Sequence, residues 1–196
     1  MISGLEILKT RTYNSTDVRK TLFSVARTVP TYEIELCTVE MGGINYVNGE
    51  AYPSEVGRIL VAHPGQRRYT KGHFECQFVH FICHDREFED KYLRPLPVSL
   101  RLCDETRAPH IFRAMTGAWA KREDGYELYC IGKLMELISA IYSAGKLLGS
   151  IDEKYRRFSH NIIIATEFMR ENFASPLTLN DIAMSAHISP SYFHLI

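Results

Sequence analysis

The sequence contains no Cys-x-x-Cys pair, no His-x-His, no Gly-x-Ser-x-Gly elbow and no glycine-rich phosphate loop. Those gaps remove the usual thiolate metal centre, the serine-nucleophile signature and the backbone cradle for phosphates. Long apolar runs are missing too: stretches such as Ile59 to Ala62 and Ile162 to Ala165 fall far below the roughly 20 residues needed to cross a bilayer, so no membrane partner is expected. Met1 to Arg11 lacks a basic head followed by an apolar block, which excludes a secretory signal at that position. Charge of one sign is also absent, with 23 basic and 23 acidic side chains cancelling to zero. That balance excludes a strongly basic nucleic-acid coat and leaves a local DNA contact open. The five cysteines (Cys37, Cys76, Cys83, Cys103, Cys130) are dispersed and odd in number, which reads as buried thiols in a reducing cytoplasm rather than a disulfide framework. What is present is a chain of 196 residues, 45% hydrophobic, enough for one large domain or two small ones around a real core.

From about Leu5 to Cys103 the pattern is that of strands. Tyr32, Ile34 and Leu36 alternate with Glu33, Glu35 and Cys37, the period-two signal of a strand with one buried face. Glu33 and Glu35 are accordingly expected on the solvated side. Asn48-Gly49 sits between two short runs, Ile44 to Val47 and Glu50 to Pro53, and both residues tolerate positive φ, so a tight hairpin is expected there. Arg58 to His63 is a continuous run fit for an interior strand, ended by the Pro64-Gly65 turn. In Glu75 to Cys83, Cys76, Phe78, His80 and Ile82 alternate with Gln77, Val79, Phe81 and Cys83, so both faces are mostly apolar and the strand lies deep. Val98 to Cys103 reads as a last strand. Many short strands with tight turns suggest a small closed sheet.

From about Ala108 the period becomes helical. Tyr126 to Leu148 carries Leu128, Ile131, Met135, Ile138 and Tyr142 at spacings of three and four, widened by Leu134 and Ile141. Such a stripe suits packing on the sheet or self-association. Gly149-Ser150 punctuates the chain, and the charged Asp152 to Arg157 reads as a linker. His160 to Phe173 follows as a helix. Thr178 with Asp181 three residues on is a capping-box pattern, and Leu179, Ile182, Ala183 and Ala186 give the helix behind it an apolar side. After His187-Ile188, Ser189 is a good N-cap and Pro190 occupies the first position of a third helix. Two short helices about a tight turn are the layout of a helix-turn-helix.

The string Asn172-Phe173-Ala174-Ser175-Pro176-Leu177-Thr178-Leu179-Asn180-Asp181-Ile182-Ala183, followed by Ile188-Ser189-Pro190-Ser191-Tyr192-Phe193, resembles the first helix-turn-helix of the AraC (arabinose-operon regulator) family. Upstream, Tyr32-Glu33-Ile34-Glu35, Gly57-Arg58-Ile59-Leu60, Pro64-Gly65-Gln66 and Val79-His80-Phe81 look like that family's cupin-type sensor domain. The resemblance spans about Tyr32 to the end. It implies an α+β chain: a cupin-like β-sandwich or barrel with flanking helices over residues 1–150, a linker at 151–158, and a partial helix-turn-helix over 159–196. It further implies a small-molecule effector, a sugar or related metabolite, held inside the sheet, a homodimer formed through helices beside it, and double-stranded DNA as partner. The family places a second helix-turn-helix downstream, so the chain, ending at Ile196 within the first recognition helix, is expected to be a fragment of a longer regulator.

Carried over position by position, the base-facing and phosphate-contact candidates are Ser191, Tyr192, His194 and Leu195, with Phe193 a core residue. Leu195 stands where some relatives carry Arg and cannot make a bidentate guanine contact, while His194 also reads as a plain surface histidine. For the effector, alternation directs Cys76, Phe78 and His80 into the sheet, with Tyr46 from the hairpin, and Glu40 and Arg68 suit hydrogen bonds to a polyhydroxylated ligand. Each of these residues is more often a structural one. Trp119 reads as a packing residue. A metal-dependent cupin enzyme, an isomerase or dioxygenase, is the rival reading, as is a non-catalytic dimerisation module. Against the enzyme, Arg68 occupies the histidine position expected after the Pro-Gly turn, and His80 and His84 sit about 13 Å apart by strand rise. No metal, cofactor or catalytic residue is therefore expected.

From Phe158 onward, Arg170 stands against Glu167, Glu171 and Asp181, a net charge of −2. DNA affinity comes largely from phosphate neutralisation, and this sign is the wrong one. Residues 1–196 are therefore expected to give no tight, specific shift of DNA in a low-salt gel assay; a sharp retarded band would contradict this.

Overall fold

Two long strands organise the first part of the chain. In the computed structural model, β3 (Tyr32–Val47) and β6 (Arg67–Cys83) pair antiparallel along nearly their whole lengths. The structure describes residues 4–18, 20–150, 164–166, 168–173, 175–186 and 188–193. It divides into two compact units, Met1–Lys146 and Leu147–Ile196.

The other strands add to this ribbon at its ends. β1 (Leu5–Asn14) pairs with the C-terminal half of β6, and β2 (Arg27–Thr28) with its first residues. β4 (Glu50–Pro53) returns along the C-terminal end of β3, while β5 (Ile59–Ala62) lies beside its start and is flanked by β7 (Ser99–Leu100). The result is one seven-stranded antiparallel sheet in an α+β chain, with a hydrogen-bonded path β1-β6-β3-β5-β7. The hairpin expected at Asn48-Gly49 is there, with φ of 50° and 91°, as a turn of the type that matches strand twist requires.

Bulges break the β3–β6 ribbon between Cys37 and Val39 and again between Met41 and Gly42. At the second break Gly42 and Gly72 take φ of +70° and +76°. A side chain at Gly72 would collide with the Gly42 carbonyl, and one at Gly43 would lie 2.7 Å from the His73 carbonyl oxygen. Glycine is needed here because two backbones approach too closely for any Cβ. The break separates the half of the ribbon flanked by β1 and β5 from the half flanked by β2 and β4.

One face of the sheet is covered by α3 (Arg107–Lys121) and α4 (Tyr126–Ser150), which follow the short turns α1 (Ser15–Val18) and α2 (Arg86–Phe88). Ile34, Leu36, Ile59, Val61, Val79 and Phe81 from the strands meet Ile111, Phe112, Met115, Leu134, Leu137 and Ile141 from the helices in one buried cluster. Each such side chain contributes about 1.5–3 kcal/mol relative to exposure. The buried stripe of α4 centres on Cys130, Leu134, Leu137, Ile138 and Ile141, one position round from the stripe expected from spacing. Leu128 is left exposed, and Ile131, Met135 and Tyr142 are half-buried. Trp119 packs at the edge of the cluster against Tyr126.

The second unit contains helical residues over 164–166 and 168–171, then α5 (Leu179–Ser185) and α6 (Pro190–Phe193). The Thr178 hydroxyl accepts from the Asp181 N–H at 3.2 Å while Asp181 accepts from the Thr178 N–H at 2.9 Å, so the capping box is complete. Ala183 and Ala186 are buried, and the Ile188 N–H donates to the Ala183 carbonyl at 3.0 Å in the turn between the two helices. The proposed linker and the start of the preceding helix, 151–163, lie outside the described residues. No helix among the described residues is long and apolar enough to cross a membrane.

Gly72→Ala should destabilise the sheet unit by at least about 2 kcal/mol, because left-handed strain and the clash with Gly42 act together. Urea midpoints of the two proteins check this, with Gly49→Ala, whose Cβ would meet open space, showing the smaller loss.

A charged cavity on the second sheet face

The face of the sheet turned away from α3 and α4 is built by alternation on three strands. On β6, Cys76, Phe78 and His80 point there, because Val79 and Phe81 between them belong to the helix-facing core. On β3, Glu33, Glu35 and Cys37 share that face opposite Ile34 and Leu36. On β1 a bulge between Ile7 and Lys9 reverses the alternation: Leu5 and Ile7 face the helices, whereas Lys9, Arg11 and Tyr13 face the cavity. Re-aiming side chains is what a one-residue bulge does. The space they surround, closed by Arg68, Thr70 and Phe74 from the other half of β6 and by Ser24 and Arg27, has a volume of about 230 Å³.

Its apolar floor is the cluster of Cys37, Phe74, Cys76 and Phe78, with Tyr13 packed against it. Its polar wall is an ion-pair network. Arg68 is buried and reaches Glu33 at 2.9 Å and both oxygens of Glu35, at 2.7 Å (Nη1–Oε1) and 2.5 Å (Nη2–Oε2). Arg27 closes on Glu33 with two parallel bonds of 2.7 and 2.6 Å. Asn45 Oδ1 accepts from Arg68 at 3.0 Å and from the Thr70 hydroxyl at 2.9 Å, and its amide donates to the Ser54 hydroxyl. These parallel guanidinium–carboxylate contacts are the stronger kind of charge-assisted hydrogen bond.

The expectation that Glu33 and Glu35 form a solvated strand face is therefore overturned. Their alternation with Tyr32, Ile34 and Leu36 is real, but the side they occupy is enclosed; Glu33 is 1% exposed. A carboxylate is tolerated there because Arg27 and Arg68 replace its water.

Burial opposes ionisation of Glu33, but the Arg27 hydrogen bonds and the Arg68 charge overcome it and hold the carboxyl below its ordinary range. Burial likewise disfavours the Arg68 cation, and the facing Glu35 and Glu33 more than compensate, so it stays charged. His80 goes the other way. Burial pushes it down to about 4 despite the pull of Glu33 and Glu35. Its Nδ1 lies 3.8 Å from Glu33 Oε1, an ion pair in distance only, since the imidazole is neutral at pH 7. Burial raises the Cys76 thiol, and lifts Cys37 to about 11, so neither is a nucleophile.

Of the residues singled out by sequence for a ligand, Arg68, Cys76, Phe78 and His80 come together at this cavity. Glu40 and Tyr46 do not. Both follow the first β3 bulge; Glu40 is exposed opposite Phe74, and Tyr46 is stacked on Tyr69 at 4.6 Å between ring centroids. Arg68 is not a free hydrogen-bonding arm either, being committed to the two glutamates. Lys9, Arg11 and Arg27 lie outside the set expected from sequence; the alternation of Lys9, Arg11 and Tyr13 is the sequence signal for the first two, and nothing local marks Arg27. Of the DNA-facing set, Ser191 is exposed on α6, and His194 and Leu195, like the side chain of Tyr192, lie outside what is described.

Glu33, Glu35 and His80 place one donor atom each within 4.8 Å of one another. That is the spacing of a metal set, but every carboxylate oxygen in it already accepts from a guanidinium. A divalent ion would have to displace Arg27 and Arg68 or sit among them, so the donor set fits a metal poorly. His84 lies beyond β6 and meets Glu6 at 2.8 Å, remote in role from His80.

No family model matches the chain, and no curated protein matches it. Among solved structures, the crystal structure of unsaturated fatty acid bound wild-type ToxT from Vibrio cholerae strain SCE256 aligns at 14% identity over 97% of this chain and 87% of that chain, with a TM-score of 0.27. At that score the likeness carries no inference.

The low value for His80 has a pH consequence. Between about 6.5 and about 4 an unfolded histidine binds a proton that the folded one refuses, so stability falls as pH drops through that window. The total loss is about 3 kcal/mol by linkage. Glu33, whose carboxyl is lowered on folding, adds its own loss as pH falls through and below the ordinary carboxylate value of about 4.5. Denaturant melts from pH 7 to 4 should show this slope, and His80→Gln should flatten it.

Proposed function

We propose that the chain belongs to a transcription regulator of the AraC type, in which the sheet unit is a cupin-like sensor for a small molecule and the C-terminal unit is part of a helix-turn-helix that addresses double-stranded DNA. The observation that carries the reading is the match between the family-like string from Asn172 to Phe193 and the local structure it adopts: a completed Thr178–Asp181 capping box, a tight turn at Ile188, and Pro190 opening the next helix. The cavity of the sheet unit supports the sensor half. It combines an aromatic floor with a few fixed polar groups, the usual make-up of a ligand site.

In this mechanism the effector alters the relative stability of two arrangements of the regulator, which it does only through unequal affinity for them. Homodimerisation and a cytoplasmic setting belong to the same proposal. So does a non-catalytic role, which is supported at the cavity by the weakly basic His80, the raised thiols and the guanidinium-bound carboxylates.

A metabolite library screened by thermal shift tests the sensor reading. A compound present at a hundredfold excess over its Kd should stabilise the fold by about 2.7 kcal/mol, which for a chain of this size is a rise in Tm of roughly 5–10 °C. A Phe78→Ala variant should lose that rise. A library of mixed chemistry that leaves Tm unmoved makes the cavity a structural feature and ends the sensor reading.

A further inference from the structure

We propose that the cavity selects an organic anion, a monocarboxylate on a small aromatic or branched apolar body, and that Lys9 and Arg11 are the residues that select it. The inference rests on the sensor reading above and replaces the sugar expected from the sequence.

Both carboxylates at the cavity wall are already held and charge-balanced by guanidinium groups. Glu33 accepts from Arg27 through both oxygens and from Arg68 through one, and Glu35 accepts from Arg68 through both. Arg27 and Arg68 are therefore neutralised by Glu33 and Glu35, and the wall retains two further cations, Lys9 and Arg11. Neither meets a carboxylate at ion-pair distance among the described residues. What they do meet is the Phe78 ring, with Lys9 Nζ 5.7 Å and Arg11 Cζ 5.8 Å from its centroid. The β1 bulge turns both side chains to this face, two residues apart on one strand, so their charges add at one mouth.

A polyol needs acceptors for its hydroxyl protons as well as donors for its oxygens. Here both carboxylates are already bonded to and charge-balanced by guanidinium groups, and the unpaired charges are those of two donors, which suits a ligand that brings acceptors and negative charge. Arg11 offers the forked geometry that a carboxylate fills, and Lys9 a point charge beside it. Phe78, Phe74 and Tyr13 then take the apolar body. The volume of about 230 Å³ lies below the usual range for drug-sized ligands, which limits that body to about one ring. His80, neutral at pH 7, adds no repulsion or attraction of its own.

The test is titration calorimetry of the whole chain at low salt with three probes of like size: benzoate, benzyl alcohol and xylose. Benzoate should bind about tenfold or more tightly than either neutral probe, and its affinity should fall as salt is raised. Lys9→Gln and Arg11→Gln should each weaken benzoate about fivefold or more, the double variant should abolish measurable binding, and Arg11→Lys should recover part of the loss. Both residues are exposed, so circular dichroism melts of the variants should match the parent. Benzoate binding that persists in the double variant overturns the proposal, as does the absence of benzoate binding. Xylose or benzyl alcohol binding as tightly as benzoate, and lost in Phe78→Ala, overturns the anion while leaving the sensor reading intact. The sensor reading itself falls only with a silent library screen.

Discussion

The guanidinium of Arg68, held between Glu33 and Glu35 with almost no access to water, is the constraint around which the sheet unit is arranged. A buried arginine is tolerable only if its donors are met, and the groups that meet them come from far apart in sequence: two glutamates at the start of β3 and Asn45 near its end. For one side chain to reach both ends of the same strand, the β3–β6 ribbon must depart from a flat ladder. The bulges after Cys37 and Met41 and the contact of Gly42 with Gly72 supply that departure. Removing one partner of such a network leaves an uncompensated charge inside, at a cost of about 3–5 kcal/mol.

The same network sets the charge of the cavity wall. By absorbing both carboxylates it leaves the wall with an unbalanced positive pair on β1, above an aromatic floor. Beside it, burial keeps the His80 imidazole neutral against the pull of the two glutamates. The network also closes the route to a metal centre, since the donor atoms nearest each other are the ones the arginines hold. Structure and specificity here share one set of side chains. A change made to alter recognition at Glu33, Glu35 or Arg68 is therefore also a change in stability, whereas Lys9 and Arg11 are free of that double duty.

Much of the fold was legible in the chain. The hairpin at Asn48-Gly49, the interior run of β5, the doubly apolar β6 and the two long helices follow from short-range rules, because turn chemistry and periodicity are local properties. The capping box at Thr178 is local in the same sense. The site was only half legible. Cys76, Phe78 and His80 were placed on one face by alternation, and Arg68 was noticed, but Glu40 and Tyr46 were assigned to the same space without knowledge of the bulges that follow Cys37.

What the sequence by itself determined is which residues share a face: Glu33 with Glu35, Cys76 with Phe78 and His80, Lys9 with Arg11. Period-two alternation dictates that much from bond geometry alone. Which of those faces meets water was decided by the tertiary structure. A strand with glutamates on one side reads as half-solvated until another segment brings arginines to cover them. That covering depends on bulges whose position no local pattern announces, because each is set by how two strands distant in the chain pair.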